Sequence, residues 1–472
     1  MAANSQYRFP PGPETNLLWS ALRRLRPANP LNLFPHLAKK YGDAVHYQVG
    51  SNHFVLLSHP DYVREILIMQ QDNFVKERTM QRSRMLLGEG MLTAEGSLHR
   101  QQRQAAQPAF HRRRIPEYAE TMVSRSAWLS RQWQDGACID VSREMMVLTL
   151  GIVAKTLFGT EIDKEVQELA DAINSIMALY NFLVLTPAVE LLVHLPLPMT
   201  KRFTRARDRL NATVYRMIQS HRAKVQCAAE GLTVEPGLGE NTGDLLSMML
   251  AENPTSNARR DRQLRDEVIT IFLAGYETVA NALAWTWYLL SQNPDAERRL
   301  REEIDSVLGG RLPTSEDLQK LNYTEMVFSE SMRLFPPTWT MGRKALDDFH
   351  LGPYFLPAGT TVLMSQWEMH RAARYFPDPL RFAPERFAPE SKKEHLRFSY
   401  FPFGAGLRQC IGESFARMEG VLLLATLAQD WKLRLVPGHQ VEPAPLITLR
   451  PKYGMRMSLE RRNVRLLRAD IA

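Results

Sequence analysis

The 472-residue chain is 44% apolar and 23% charged, enough apolar side chain for a substantial core, which excludes general disorder. A net charge of +8 is modest for this length, and no nucleic-acid-binding module accompanies it. Cys138, Cys227 and Cys410 are odd in number and widely spaced, which excludes a disulfide framework and fits a reducing compartment.

Length admits about two to four ordinary domains, but no linker divides the chain, and one large unit with a minor subdomain is equally compatible. Met1 to Pro13 lacks a signal-peptide core or a membrane anchor, so a cytoplasmic protein is expected. Phe9-Pro-Pro-Gly-Pro13 reads as stiff and extended. A helix follows over Leu31 to Tyr41, then strands over Ala44 to Val49 and Phe54 to Ser58, then a helix from near Asp61 to Met69. Gln71 to Glu95 reads as a loop anchored by Met85, Leu86, Leu87 and Met91.

From His99 to Leu250 the pattern is mostly helical, interrupted by the basic cluster Arg112 to Arg114. It includes an apolar helix over Met145 to Leu157, a proline-broken apolar stretch from Ile176 to Pro198, and a basic amphipathic helix over Thr200 to Gln226. Ala228 to Thr242 reads as an exposed loop. Asp266 to Leu290 is long and apolar enough to cross a membrane, but Glu277 near its middle would be stranded in lipid, so a buried central helix and no membrane span are expected. Helices over Pro294 to Leu308 and Tyr323 to Leu334 stop at Gly309-Gly310 and Pro336-Pro337. Short strands are expected over Met341 to Ala345, Tyr354 to Leu356 and Thr360 to Trp367, with an irregular stretch from Pro377 to Tyr400 and a late hairpin from Ile447 to Leu449 and Gly454 to Glu460. The class is mainly α with small β-sheets.

The stretch that carries chemistry is Phe403-Gly-Ala-Gly-Leu-Arg-Gln-Cys-Ile-Gly412. Glycines bracket one thiol, Arg408 precedes it by two residues, and an apolar helical pattern follows through Phe415, Met418, Val421, Leu422 and Ala425. A thiol at a helix N-terminus is favoured as a thiolate, and a thiolate so held suits haem iron. A free cysteine is otherwise usually a small buried hydrophobe; Cys138 and Cys227 lack any comparable context and are assigned no chemistry. The full pattern F-x-x-G-x-R-x-C-x-G resembles the haem-binding loop of the cytochrome P450 family. Glu330-Ser-Met-Arg333 places acid and base on one helical face and, with Pro384-Glu-Arg386-Phe387, is similar to a second P450 motif. On its own it would be an ordinary salt bridge of little worth. Ala274-Gly275-Tyr276-Glu277-Thr278 is similar to the family's acid–alcohol pair. A glycine inside a helix costs about 1 kcal/mol, so something must approach that backbone, although a core threonine bonded to its own helix is the plainer account.

The resemblance spans nearly the whole chain and implies a single haem domain over residues 1–472, the family's triangular-prism fold, with β-rich parts near 40–60, 341–367 and 445–460. It implies haem b with Cys410 as axial ligand, Phe403 and Gly412 shaping the loop, and His99, Arg103, Arg343 and Arg408 meeting the haem carboxylates. His99 stands where the family often has tryptophan. Glu277 and Thr278 would deliver protons to dioxygen, and Glu330, Arg333 and Arg386 would fasten the meander beside the haem loop. Met85, Leu86, Leu87, Ala274, Trp339, Met341 and Thr448 would line a pocket for a lipophilic substrate, a fatty acid, terpenoid or steroid, with a leaning toward fatty acids. Electrons would come from a separate ferredoxin- or flavodoxin-type donor with its reductase, and Arg112 to Arg114 could dock such an acidic carrier. Peroxide-driven haem-thiolate enzymes and non-enzymatic haem sensors are the alternatives, separable by turnover with a surrogate donor against peroxide alone.

Overall fold

Local chemistry starts several of the helices. Asn29 Oδ1 accepts the N–H of Leu31 at 3.0 Å ahead of the helix Pro30–Tyr41, and Asp140 Oδ1 accepts that of Ser142 at 3.0 Å ahead of Val141–Phe158. Asn257 Oδ1 accepts from Arg259 and Arg260 at 3.1 and 2.9 Å to open Ala258–Gln292, the longest helix described. Each side chain satisfies an N–H that the helix itself leaves orphaned. The computed structural model describes residues 6–14, 29–111, 114–159, 176, 198–229, 244–251, 257–391 and 397–462. Most of the expectations over Ile176 to Pro198 and over Ala228 to Thr242, with Arg112, Arg113 and the bonding of Cys227, lie outside the described residues, while Ala228 and Ala229 end the helix Pro198–Ala229 instead of opening a loop.

The chain divides into two compact units, the first formed by Met1–Arg78, Met326–Cys410 and Pro443–Arg450. It holds a five-stranded sheet in the order Ala44–Val49, Asn52–Leu57, Thr361–Met364, Met341–Ala345, Phe74–Lys76. Only the Asn52–Leu57 to Thr361–Met364 pairing is parallel, with Leu56 opposite Leu363. Val55, Leu57, Val362 and Met364 sit in one apolar cluster with Val63, Ile66 and Phe401. A second cluster gathers Leu31, Phe34, Leu37, Val45, Leu56 and Trp339.

The second unit, Thr79–Glu325 with Ile411–Glu442 and Pro451–Ala472, is mainly helical. The long helix Ala258–Gln292 packs on Val141–Phe158, where Phe158 and Phe272 stack at 4.3 Å between centroids. Gly275 makes this approach possible: a Cβ there would lie 3.0 Å from Val153 Cγ2. The neighbour that needs the glycine is thus another helix of the core. By length and composition this helix could cross a membrane, yet 78% of its most apolar window is buried inside the molecule. Cys138–Asp140, Arg456–Arg461 and Trp431–Leu435 form an antiparallel three-stranded sheet.

Several expectations need correction. The late hairpin does not form: Leu449–Pro451 joins Pro443–Pro445, whereas Arg456–Arg461 pairs with Trp431–Leu435 and Cys138–Asp140. The stretch read as a loop from 71 to 95 contains the strand Phe74–Lys76 and the helices Arg78–Arg82 and Arg84–Leu87. The strand expected to reach Trp367 stops at Met364, because Ser365 accepts the Glu368 N–H and opens the helix Gln366–Met369. The helix from Asp61 divides into Pro60–Arg64 and a π-turn over Glu65–Met69. The long helix begins at Ala258, earlier than its apolar pattern, because its first turns are charged and solvent-facing.

Phe272→Ala removes a ring that is 2% exposed and stacked on Phe158. It is expected to lower unfolding stability by about 3–5 kcal/mol, measured by chemical denaturation; a loss below 1 kcal/mol would contradict this packing.

Candidate functional site: a tethered thiol and a buried acid–base network

The cysteine loop is held by main-chain bonds. The Gly404 N–H donates to Phe401 O at 3.0 Å, Gln409 N–H to Gly406 O at 3.0 Å, and Cys410 N–H to Phe403 O at 2.9 Å. Gly404 and Gly406 have φ of +70° and +71°, a region glycine enters freely. At Gly406 a second reason applies, since a Cβ would lie 2.0 Å from the carbonyl oxygen of Leu67. Gln71 Oε1 also accepts the Leu407 N–H at 3.0 Å. The π-turn Glu65–Met69 and Gln71, two residues past it, therefore form the bed on which the loop rests. The outcome is an exposed Cys410 thiol on a constrained turn, with Phe403 half-buried behind it. Gly412 is the N-cap of the helix Glu413–Asp430.

The same unit contains the charge network. Glu330 and Arg333 are fully buried on the helix Asn322–Leu334. Arg333 Nε and Nη2 donate to the two Glu330 oxygens, each at 2.7 Å, a bidentate charge-assisted pair. Arg333 Nη1 donates to His370 O and Pro379 O, both at 2.7 Å, and Nη2 to Arg381 O at 3.2 Å. Every N–H of the guanidinium thus has an acceptor. Glu330 Oε1 also accepts the Ala383 N–H at 2.9 Å, and Arg386 Nε lies 3.4 Å from it.

His370, not singled out by sequence, links this network to the thiol. Its Nε2 accepts the Phe401 N–H at 3.1 Å, which requires an unprotonated nitrogen. Burial, with Arg333 and Arg371 alongside, holds its pKa well below the usual imidazole range. The backbone path then runs from Phe401 to Gly404 and on through the cysteine turn.

In the second unit, the long helix buries Glu277 at 3% exposure but leaves Ala274 exposed and Leu273, Gly275 and Thr278 half-buried. Thr278 Oγ1 donates to Ala274 O at 2.8 Å. Thr149 Oγ1 lies 2.9 Å from Tyr276 O and 2.8 Å from Met145 O, sharing one proton between them. His99 and Arg103 lie on the helix Gly96–Ala106, His99 buried and Arg103 half-buried. Arg343 is buried on Met341–Ala345 and Arg408 is half-buried in the turn Gly406–Arg408. Of the basic cluster, Arg114 pairs with Glu117 at 3.1 Å.

Among the pocket candidates, Leu86, Leu87 and Thr448 are buried, and Met85 and Met341 half-buried. Trp339 sits in the core, stacked near Phe34 at 6.1 Å, with its indole N–H donating to Leu446 O at 2.7 Å. It fastens the turn that carries Thr448. Sequence reading also passed over Asp266 and Glu267, whose carboxylates accept the N–H groups of Glu89 and Met91 at 2.8 and 3.1 Å. Burial, with Asp266 adding to it, raises the Glu267 pKa to about 8. The signal was present in two adjacent acids opening an apolar run.

The sequence pattern of the cytochrome P450 family matches residues 10–456. Cyclooctatin synthase of Streptomyces melanosporofaciens is 37% identical over 412 residues, covering 87% of each chain. Pentalenene oxygenase of Streptomyces avermitilis is 31% identical, covering 97% of this chain and 99% of that one. Among solved structures, retinoic acid-bound cyanobacterial CYP120A1 superposes with a TM-score of 0.79 at 26% identity, covering 97% of this chain and all of that one. The chain belongs to the cytochrome P450 family. It has that family's mainly helical fold and haem-thiolate cofactor, and it is an oxidoreductase that incorporates one oxygen atom into its substrate.

A thiolate-bound haem brings four iron ligands of its own and asks the protein for one sulfur. A single exposed thiol on a main-chain-tethered turn fits that demand.

Two outcomes test these assignments. Arg333→Ala strands a buried carboxylate and is expected to cost about 3–5 kcal/mol in urea unfolding; a cost under 1 kcal/mol would refute the network. Glu267 binds its proton more tightly folded than unfolded, so its contribution to stability is full below the ordinary carboxyl value of 4.5 and is lost as pH rises to about 8. Thermal melts of Glu267→Gln should therefore gain on the wild type across that window and hold the gain above it. A gain independent of pH would show that Glu267 does not titrate there.

Proposed function

We propose that residues 1–472 form a single haem b domain working in the cytoplasm, which hydroxylates an unsaturated terpenoid with electrons from a separate ferredoxin- or flavodoxin-type donor and its reductase. The observation that carries the reading is the exposed Cys410 thiol on a turn that the chain itself immobilises. The substrate class is supported by the names of the relatives, a cyclooctatin synthase and a pentalenene oxygenase, and by the retinoic acid in the similar solved structure. These favour terpenoids over the fatty acids toward which sequence alone leaned. Three cysteines, odd in number and widely spaced, support a reducing compartment.

Haem, when bound, supplies dioxygen activation. The protein's own residues do the rest. Cys410 Sγ donates as a thiolate, and the loop N–H pattern keeps the sulfur at one place. Phe403 limits water beside it, and the dryness of a metal site tunes its potential. His99 and Arg103 in the second unit, and Arg343 and Arg408 in the first, would each offer donors to haem carboxylates, with Gly412 giving the chain room to turn into its helix. Thr278 Oγ1 rests with its proton on Ala274 O, which leaves its lone pairs open to accept from water. Glu277 is the nearest acid in sequence and completes a proton relay with it. Glu330, Arg333 and Arg386 act at a distance, through His370 and Phe401, on the pose of the thiol. For the substrate, the second unit would offer Met85, Leu86, Leu87 and Ala274, and the first would offer Trp339, Met341 and Thr448.

Reduction of the purified pigment under carbon monoxide is expected to give the red-shifted band of thiolate ligation, and Cys410→Ala to abolish it; a band that survives in the variant refutes the assignment. With a surrogate ferredoxin and reductase, Thr278→Ala is expected to slow product formation on the order of 10²-fold, the size of a lost proton relay. An unchanged rate with dioxygen, or turnover with peroxide alone, would remove the relay from the reading.

A further inference from the structure

Two consecutive acids of the long helix and two glycines opposite them have no part in the chemistry above. The Glu89 N–H donates to Asp266 Oδ2 at 2.8 Å, and the Met91 N–H to Glu267 Oε2 at 3.1 Å. Gly88 has φ +57°, and a Cβ on it would lie 2.0 Å from the Asp266 carboxylate. A Cβ on Gly90 would lie 2.1 Å from Thr270 Oγ1 and 2.6 Å from the Asp266 main-chain oxygen. The turn meets the helix backbone to backbone, which only glycine permits. From behind, Thr93 Oγ1 donates to Gly88 O at 2.7 Å, Gln102 Nε2 to Glu89 O at 2.6 Å, and Arg84 Nη2 to Thr93 O at 3.0 Å. Asp266 is itself held by Arg265 at 2.6 Å.

The place of this clasp on the helix gives it a consequence. Positions 267, 271, 274 and 278 fall on one face of a helix. Glu267 precedes the exposed Ala274 by two turns, about 10 Å along the axis. The short helix Arg84–Leu87, which ends where the turn begins, carries half-buried Met85. We infer that Asp266 and Glu267 are positioning residues that dock the Gly88–Met91 turn and so set where Met85 stands at the N-terminal end of the Ala274–Thr278 face, making the clasp a determinant of substrate selectivity. This rests on the reading that the face and Met85 to Leu87 receive the substrate.

The test uses the haem-loaded protein with retinoic acid as probe. Glu267→Leu fits a buried position but accepts no hydrogen bond, Glu267→Gln keeps an acceptor for the Met91 N–H, and Gly90→Ala separates turn from helix by bulk alone. Hydrogen–deuterium exchange over 88–91 should rise at least tenfold in the Leu and Ala variants and return toward the wild type in Gln. The dissociation constant for retinoic acid, read from the haem absorption shift, should weaken about tenfold in the same two variants, with the Gln variant restored. Wild-type exchange in the Leu and Ala variants would overturn the docking. Raised exchange with unchanged retinoic acid affinity would overturn the selectivity role. A wild type without the thiolate–carbon monoxide band would fail the functional reading instead, and the selectivity role with it, while exchange still decides the docking.

Discussion

The first unit depends on one buried ion pair. Glu330 and Arg333 have no access to water, and each would be intolerable alone. Arg333 spends its remaining donors on the carbonyls of His370, Pro379 and Arg381, which are far away in sequence and otherwise irregular. A segment with few regular hydrogen bonds is thereby given a fixed shape. His370 converts that shape into a contact, because its neutral ring accepts from Phe401 just where the cysteine turn begins. Charge deep in the core thus determines the pose of a thiol many residues later.

The second unit is organised by close helix contact. Gly275 lets the long helix approach Val153, and stacked Phe158 and Phe272 fill the same interface. Burying one side so completely leaves the exposed Ala274 as a break in an otherwise covered surface. A glycine that sequence reading ties to an approaching group has, in the structure, a helix as that group. The approach of Val153 is why this helix tolerates a helix-weakening residue at Gly275.

Much of this was legible in the amino-acid order. The strands Met341–Ala345 and Tyr354–Leu356 stand where the residue pattern puts them, the second bounded directly by Gly352-Pro353 and Pro357. The acid–base spacing of Glu330 and Arg333 and the glycine-bracketed thiol were equally plain. Contacts made by the main chain or by distant partners were not. Nothing in Leu67 or Gln71 announces that Gly406 will press on one and Leu407 bond the other. Nothing in His370 tells of its neutral, accepting ring. The late hairpin failed because two adjacent runs with strand-like alternation found other partners, and local pattern carries no information about pairing. Three-residue strands such as Cys138–Asp140 are too short to show a period.

Peptide groups do much of the tethering of the cysteine turn: Phe401 O, Phe403 O and Gly406 O accept its N–H groups, Gly406 presses on the Leu67 carbonyl, and Gln71 Oε1 accepts the Leu407 N–H. Ala405 packs against the core of its unit, whereas the Leu407 side chain stands 47% exposed while its N–H holds the turn. At Leu407 such a loop can change the side chain it turns outward while the sulfur stays where it is. Latitude on one side and constancy on the other coexist in ten residues, because skeleton and decoration answer to different demands.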